Sequence, residues 1–185
     1  QVCIYPQLLN SCIKKLRKEG LIPQDFTMKR NQTMSKISAV VKKVKSEPKK
    51  KKKLIFCYYR GEIDELKRRF INEGFTVAVI DGRSKKKEKK DACDPKVSPD
   101  ILLAQIQTAS EGLNLQHFSQ VYFTSPHWNP SVEEQAIARA HRIGQENEVQ
   151  TFHFQMAPFE NGGLTIDNYC MKIQEKKREF MKLLD

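Results

Sequence analysis

The feature that most constrains the fold is a regular alternation of short apolar runs with amphipathic stretches after residue 53. Runs of strand length occupy residues 54–59, 75–80, 101–105, 120–124 and 148–155, with predicted helices over 131–143 and 165–184 among the amphipathic stretches. Buried strands that alternate with such helices are typical of βαβ units, whose parallel strands are covered on both faces. Because crossovers between parallel strands are right-handed, we expect a doubly wound α/β sheet.

The segment before the first strand is predicted to be helical. Apolar residues at helical spacing indicate one helix over 7–19 and a second that begins at Thr33 or Ser35 and continues through Val44. The run Lys49–Lys53 then interrupts the pattern and is expected to form a loop or linker. We therefore expect a helical lead-in over residues 1–48, an α/β core over 49–160 and a C-terminal helix over 161–185.

Positive charge is concentrated in two short stretches. The formal net charge is +11, and residues 42–53 and 83–90 account for essentially all of it, because the rest of the chain is close to neutral. Charge gathered in this way suits a polyanion, and nucleic acid is the first candidate. The alternative is that the lysines keep loops solvated. For Lys49–Lys53, DNA binding, a nuclear localisation patch and a flexible linker all remain open.

Other classes of protein are disfavoured by the sequence. No apolar run approaches the roughly 18–20 residues that a membrane span needs, so no membrane partner is expected. The five cysteines form no CxxC pair and the four histidines complete no metal-ligand spacing, which indicates a reducing compartment and no structural metal. The chain begins Gln-Val-Cys, without an initiator Met or signal peptide, so we expect it to start within a longer intracellular protein.

Function in a sheet of this kind is expected in the loops beyond the carboxyl ends of the strands, where ligands bind. The loops after the first four predicted strands contain Arg60, the turn Gly82-Arg83-Ser84, the segment Thr108–Asn114 and the segment His127–Pro130. The basic stretch 83–90 begins in one of these loops, which favours nucleic-acid binding over a purely solvating role.

The most informative segment is Glu133–Gln145, which reads EEQAIARAHRIGQ. In a helix, at about 100° per residue, Gln135, Arg139 and Arg142 fall within an arc of about 60°. Two guanidiniums on one face can bind phosphate oxygens bidentately and neutralise charge on a transferring γ-phosphoryl group. The alternative is a surface helix in which Glu133 or Glu134 pairs with the arginines. Spacing alone leaves both interpretations open.

Several motifs together resemble the Swi/Snf family of DNA-dependent ATPases, in helicase superfamily two. Residues 138–145 (ARAHRIGQ) resemble its sixth helicase motif, and residues 101–104 (ILLA) through 112–115 (GLNL) resemble the fifth. Trp128-Asn129-Pro130 stands where the family has the same tripeptide, 54–59 resembles the strand of the fourth motif, and 81–84 (DGRS) resembles the turn that follows. Residues 1–9 are similar to the segment between the two lobes. The resemblance covers nearly the whole chain in the family's order.

The resemblance implies a RecA-like sheet that forms the second, C-terminal helicase lobe. The implied activity of the whole protein is ATP hydrolysis coupled to translocation on, or remodelling of, double-stranded DNA or protein–DNA complexes. ATP with Mg²⁺ would be bound mainly by an N-terminal RecA-like lobe of the same protein, because this sequence has neither G-x-x-x-x-G-K-[ST] nor a D-E-x-H box. The isolated chain is therefore expected to be inactive. A nuclear location is implied in a eukaryote, and the cytoplasm or a viral factory otherwise.

The same resemblance assigns roles to individual residues. Arg139 and Arg142 match the arginine fingers of the family, Gln135 matches a polar residue at the same cleft, and Glu111 and Gly112 would lie near the nucleotide. Expected contacts with the DNA backbone come from the strand-end loops: Arg60, Arg83, Ser84, Lys85, Lys86 and Thr108. The sequence departs from the family at Ala109-Ser110, where a Gly-Gly pair is usual, so a stiffer loop is expected.

Two other classes of function compete with the ATPase lobe. One is a non-enzymatic nucleic-acid-binding or adaptor module that keeps the RecA-like fold and leaves the cleft unused. The other is a protein-interaction platform, which predicts DNA affinity no greater than that of a generic basic protein. The sequence upstream separates the first from an enzyme, because only the enzyme needs a first lobe with a phosphate-binding loop.

Overall fold

The computed structural model describes residues 13–21, 23–25, 35–157 and 165–183. Its helices are α1 (Lys36–Ser46), α2 (Arg60–Asn72), α3 (Lys86–Cys93), α4 (Pro130–Ala140) and α5 (Ile166–Lys182). Its strands are β1 (Lys53–Cys57), β2 (Val77–Ile80), β3 (Ile101–Gln105), β4 (Gln120–Phe123) and β5 (Gln150–His153), with a 3₁₀ helix over Ile106–Glu111. Residues 13–18 are also helical and end before Gly20, whose φ is +68°. The rest of the helix predicted over 7–19 lies largely outside the described residues.

The five strands form one parallel sheet in the order β2-β3-β1-β4-β5. Strand β1 is central, with Ile55 paired to Leu103 on β3 and to Tyr122 on β4. All of its residues are buried, whereas the edge strands β2 and β5 are more exposed. Burial on both faces explains why the inner strands have continuous apolar sequences. The predicted doubly wound α/β fold is confirmed.

Side chains that alternate along the strands form two cores, one on each face of the sheet. On one face, Phe56 and Phe123 stack at 5.4 Å between ring centroids, and Ala136 and Ala140 of α4 pack against the same cluster. On the other face, Ile55 and its neighbours pack against α1 and α2. Helix α1, which falls within the predicted lead-in over 1–48, therefore packs directly on the sheet. The boundary expected at residue 48 stays a prediction.

Helix α4 is shorter than the sequence predicts. It begins where the Asn129 side chain accepts a hydrogen bond from the Ser131 backbone N–H at 3.2 Å, and it ends at Ala140 rather than Ile143. His141 leaves the helix with φ −85° and ψ +80°, and Gly144 has a φ of +96°, a conformation that favours glycine. Ile143 is consequently 97% exposed. The expectation that Arg142 lies on the helix is wrong.

The lysine run is also built into the fold at its C-terminal end. Lys53 is the first residue of β1 and is fully buried, and its Nζ donates to the carbonyl oxygens of Pro48 at 2.8 Å and Lys51 at 2.5 Å. Burial lowers the pKa of Lys53. The Nζ of Lys52 donates to the Ser98 carbonyl at 3.0 Å. The prediction of a flexible linker that extends through Lys53 is therefore wrong. The run lies where the amino ends of the strands meet, which we call the amino edge of the sheet.

Helix α5 is tied to α1 by a buried ion pair. The Nζ of Lys36 lies 2.7 Å from Oδ2 of Asp167, and the two side chains are 3% and 4% exposed. The same Nζ donates to Ser125 Oγ at 2.8 Å, in the loop after β4. Gln174 of α5 also donates to Oε1 of Glu133 in α4 at 2.9 Å. The helix predicted over 165–184 thus packs on the α/β core. None of the helices in the described ranges is long and apolar enough to cross a membrane.

Candidate functional site

The strand-end loops meet along one edge of the sheet. The register aligns Cys57 with Gln105, Ile80 with Ala104 and Phe56 with Phe123, so the segments that follow β1 to β4 leave the sheet at the same carboxyl edge. We call this the carboxyl edge. It carries Arg60, the turn 81–84 with the start of α3, and the beginning of the 3₁₀ helix. These are the places where the sequence predicts contacts with DNA.

Among the predicted DNA contacts, Arg83 and Ser84 bond within the chain. Nη2 of Arg83 lies 2.8 Å from Oδ1 of Asp64 and 2.6 Å from Oδ2 of Asp81, and these carboxylates, Asp64 first, raise the pKa of Arg83. Burial opposes ionisation of Asp81, but the hydrogen bonds from Arg83 outweigh it and lower the pKa of Asp81. Ser84 Oγ accepts from the Asp81 N–H at 3.0 Å and donates to the Val79 carbonyl at 3.1 Å. Both side chains therefore brace the turn.

The other predicted DNA contacts differ in how accessible they are. Arg60 is exposed at the first turn of α2 and lies against Gly82, where a Cβ would be 3.0 Å from its Nη2. Lys85 and Lys86 are exposed at the start of α3. Thr108 is 6% exposed, and its Oγ1 donates to the Gln105 carbonyl at 2.6 Å. Arg60, Lys85 and Lys86 therefore present exposed positive charge on the carboxyl edge, with Arg60 lying close to the turn. The Thr108 hydroxyl is instead bonded at the start of its own 3₁₀ helix.

The candidate arginines lie at the other end of α4. This helix follows β4 at the carboxyl edge and runs back toward the amino end of β5, so its last turn is remote from the carboxyl edge. Gln135 is exposed and Arg139 half-buried on α4, and Arg142 follows on an exposed bend. We call residues 139–145 the arginine segment. Arg139 and Arg142 thus lie on a different part of the molecule from Arg60 and the turn 81–84, whereas Thr108 and Gly112 lie within and at the end of the same 3₁₀ helix.

The arginine segment is joined to the loop that carries the GLNL sequence. The 3₁₀ helix ends at Gly112, which has a φ of +72° and is exposed. The loop then crosses the same face as α4, and the Leu115 N–H donates to the Arg139 carbonyl at 3.1 Å. The side chain of Glu111, like those of Ala109 and Ser110, lies outside the part of the structure that is described. Gly112 and the arginines therefore belong to one surface.

The two acidic residues offered as alternative partners of the arginines have other contacts. Oε1 of Glu133 accepts from the His127 backbone N–H at 2.6 Å and from the Gln174 amide, and the side chain is buried. Oε1 of Glu134 lies 3.9 Å from Nε of Arg178 on α5. These contacts direct both carboxylates toward α5 and the loop before α4.

The structure brings in residues that the sequence analysis did not single out. The side-chain amide of Gln145 donates hydrogen bonds to the backbone carbonyls of Gln116 and Phe118, in the loop beside the arginines. Glu62 is buried under the carboxyl edge, where it accepts from the Tyr58 N–H at 3.1 Å and where burial raises its pKa. The Lys36–Asp167 pair joins elements at opposite ends of the chain. No local pattern in the sequence predicts these contacts, although Gln145 is the last residue of the motif at 138–145.

Across the described ranges, His, Cys, Asp and Glu side chains nowhere form a group of three that could hold a metal ion. Trp128, a neighbour of the carboxyl edge, is 38% exposed and packs edge-on against Tyr169 at 6.1 Å between ring centroids. Its carbonyl also accepts from Lys177 at 2.9 Å. Trp128 therefore helps to attach α5.

Comparison with known proteins identifies the fold and the motifs together. The model of the helicase conserved C-terminal domain family matches residues 35–144, which include all the elements from α1 to α4 and the arginine segment except its last residue. The chain belongs to this family. The match confirms the helicase-lobe interpretation of the motifs, and the relatives described next confirm its Swi/Snf type.

The helicase C-terminal domain has relatives among much longer proteins. It is 35% identical over 164 residues to DNA repair protein RAD5 from Candida albicans, covering 80% of this chain and 14% of that protein. It is 31% identical over 152 residues to a SWI/SNF-related regulator of chromatin from Arabidopsis thaliana, covering 78% of this chain and 17% of that protein. The domain therefore spans less than one fifth of either relative.

A solved structure agrees with the fold of the domain. The C-terminal part of the Fun30 ATPase domain superposes with a TM-score of 0.60 at 17% identity, over 91% of this chain and 61% of that one. At this identity the likeness concerns the fold alone. The predicted RecA-like sheet with helices on both faces is thereby confirmed.

Proposed function

We propose that this helicase C-terminal domain is the second lobe of a two-lobed, DNA-dependent ATPase that translocates on or remodels duplex DNA or protein–DNA complexes. We refer to that protein as the longer protein. The proposal is carried by one observation: Arg139 and Arg142 belong to a surface that is fastened to the GLNL loop and separate from the basic carboxyl edge. In this proposal the surface with the arginines contacts the nucleotide, and the carboxyl edge contacts DNA.

The arginine segment suits a role at the phosphates of ATP. Guanidiniums are permanently charged and offer several N–H donors in a planar arrangement that matches phosphate oxygens. Placed against a nucleotide held by the first lobe, Arg139 and Arg142 would stabilise negative charge on the γ-phosphoryl group during its transfer. Gln135, Glu111 and Gly112 would line the same cleft. ATP enters as Mg²⁺–ATP, and the first lobe supplies the metal ligands.

The carboxyl edge suits the sugar-phosphate backbone of duplex DNA. Arg60, Lys85 and Lys86 present exposed charge without a base-reading arrangement, which favours sequence-independent binding. Arg83, Ser84 and Thr108 would contribute through the shape of the turns that they brace. Opening and closing of the cleft would move this edge relative to the first lobe. The names of the relatives, a DNA repair protein and a regulator of chromatin, support a nuclear, intracellular setting.

The proposed activity is tested by measuring ATP hydrolysis by the longer protein with and without duplex DNA. We expect duplex DNA to raise the rate, and we expect the 185-residue chain alone to show no turnover because it lacks a phosphate-binding loop. Turnover by the isolated chain would contradict the two-lobe arrangement. Duplex binding by the longer protein without any hydrolysis would favour the non-enzymatic binding module.

The assignment of DNA to the carboxyl edge predicts a contrast between two lysine pairs. In the longer protein, Lys85→Ala/Lys86→Ala is expected to weaken duplex binding and to reduce the slope of log affinity against log salt by about 1 for each phosphate that is no longer neutralised. The matched control Lys49→Ala/Lys50→Ala removes the same charge from the amino edge and is expected to leave that slope unchanged. If both double variants reduced the salt slope equally, the lysines would attract DNA only through their general positive charge, and the carboxyl edge would have no special role.

A further inference from the structure

The chain around Arg142 lacks the support of a helix. Helix α4 ends at Ala140, and the Arg142 N–H bonds to the Ala140 carbonyl at 3.1 Å rather than four residues back. A tight turn follows, closed by the Gln145 N–H on the Arg142 carbonyl at 2.9 Å. A short turn of this kind does not fix its own orientation, so contacts outside it must set the position of Arg142.

The side chain of Gln145 supplies those contacts. Its Nε2 donates to the carbonyl oxygens of Gln116 at 2.6 Å, Phe118 at 3.1 Å and Ala140 at 3.3 Å. Its Oε1 accepts from the Asn147 N–H at 2.9 Å. One amide group therefore joins the end of α4, the turn that follows it and the loop before β4.

Close packing reinforces this junction. Gly144 lies against the Gln116 side chain, where a Cβ would come within 3.1 Å of Nε2, and its φ of +96° excludes most other residues. The loop on the other side is anchored by Phe118, which is fully buried in the core. The turn is thus held from a rigid base, and Gln145 is the side chain that connects the two.

We infer that Gln145 is a positioning residue for Arg142, and this inference rests on the proposed function. Its amide holds the turn 141–145 against the loop before β4, which continues from the GLNL sequence at 112–115. This contact sets where the Arg142 guanidinium lies relative to the γ-phosphoryl group. Arg139 depends less on this contact because it remains within α4. Gln145 itself faces backbone carbonyls and needs no contact with nucleotide.

The inference is tested in the longer protein by kinetics of DNA-stimulated ATP hydrolysis. Gln145→Met keeps most of the side-chain volume but removes the donor, and Gln145→Ala removes both. A misplacement of about 1 Å can cost up to about 10²-fold in rate, so we expect kcat to fall by about 10- to 100-fold in both variants. The KM for ATP and the affinity for duplex DNA are expected to stay within about twofold.

Two comparisons keep this outcome separate from loss of structure and from failure of the proposed function. Glu146→Ala, an exposed neighbour in the same segment, is expected to leave kcat within about twofold. A parallel fall in kcat and in the fraction of protein that binds DNA would show a merely structural role and overturn the inference. If Arg142→Ala lowers kcat while the Gln145 variants do not, the inference about Gln145 is overturned and the proposed function stands. If Arg142→Ala leaves kcat unchanged, both the proposed function and the inference are overturned.

Discussion

Arg142→Ala is expected to lower DNA-stimulated ATP hydrolysis by the longer protein by about 10³-fold or more, the size of effect that arginine fingers have in phosphoryl transfer. The guanidinium is exposed, and among the described residues its side chain makes no hydrogen bond or ion pair. Its removal therefore has little to disturb within the lobe. We expect the free energy of unfolding to change by less than about 0.5 kcal/mol.

The interpretation of that variant depends on separating turnover from DNA binding. Arg142 lies away from the carboxyl edge, so duplex affinity is expected to stay nearly unchanged. Arg178→Ala is a matched control, because this arginine is also solvent-exposed and lies 3.9 Å from Glu134, and its turnover is expected to remain within about twofold. Loss of hydrolysis and of DNA affinity to the same extent would defeat the arginine-finger assignment.

The second large effect concerns stability. Lys36→Ala is expected to lower the free energy of unfolding by about 3–5 kcal/mol, because it leaves the buried carboxylate of Asp167 without its counter-ion. The Met156 N–H, 2.8 Å from the same oxygen, remains as a partner but carries no full charge. Lys36 also favours the ionised form of buried Glu62, so its loss disfavours two carboxylates. Chemical denaturation at neutral pH measures the change.

A matched lysine in the same helix provides the control for Lys36. The Nζ of Lys45 lies 2.6 Å from Oε2 of Glu73, yet the side chains are 47% and 39% exposed. Lys45→Ala is therefore expected to cost no more than about 1 kcal/mol. In Lys36→Met/Asp167→Asn neither buried charge remains, and this double variant is expected to recover most of the loss. A Lys36→Ala variant no less stable than Lys45→Ala would show that the buried ion pair contributes no more to stability than an exposed one.

Much of the fold is predictable because its determinants are local. Strands β1, β3 and β4 are buried on both faces, so their sequences are apolar except for one polar residue at an end, and their approximate positions can be predicted from the sequence. The end of α4 is not predictable in this way. Helical spacing continues through Arg142 and Ile143, but the backbone of His141 and the contacts of Gln145 show that the chain has already turned.

The candidate site shows the same division between local and distant determinants. The motifs pick out Arg139 and Arg142, but they do not reveal that Arg83 is held by Asp64, 19 residues away. They also do not reveal that Lys36 meets Asp167 across 131 residues. The burial of Lys53 could not be predicted for another reason. Lysine runs are usually solvated, whereas here the carbonyl oxygens of Pro48 and Lys51 accept hydrogen bonds from a buried ammonium group.

In the proposed enzyme, the arginine segment faces the nucleotide when the two lobes close. Amide hydrogen exchange of the longer protein, with and without ADP–beryllium fluoride and duplex DNA, measures whether it does. We predict that the analogue slows exchange in residues 139–147 and leaves residues 49–53, at the amino edge, unchanged. Exchange in residues 139–147 that is identical with and without the bound analogue would show that the arginine segment does not contact the nucleotide.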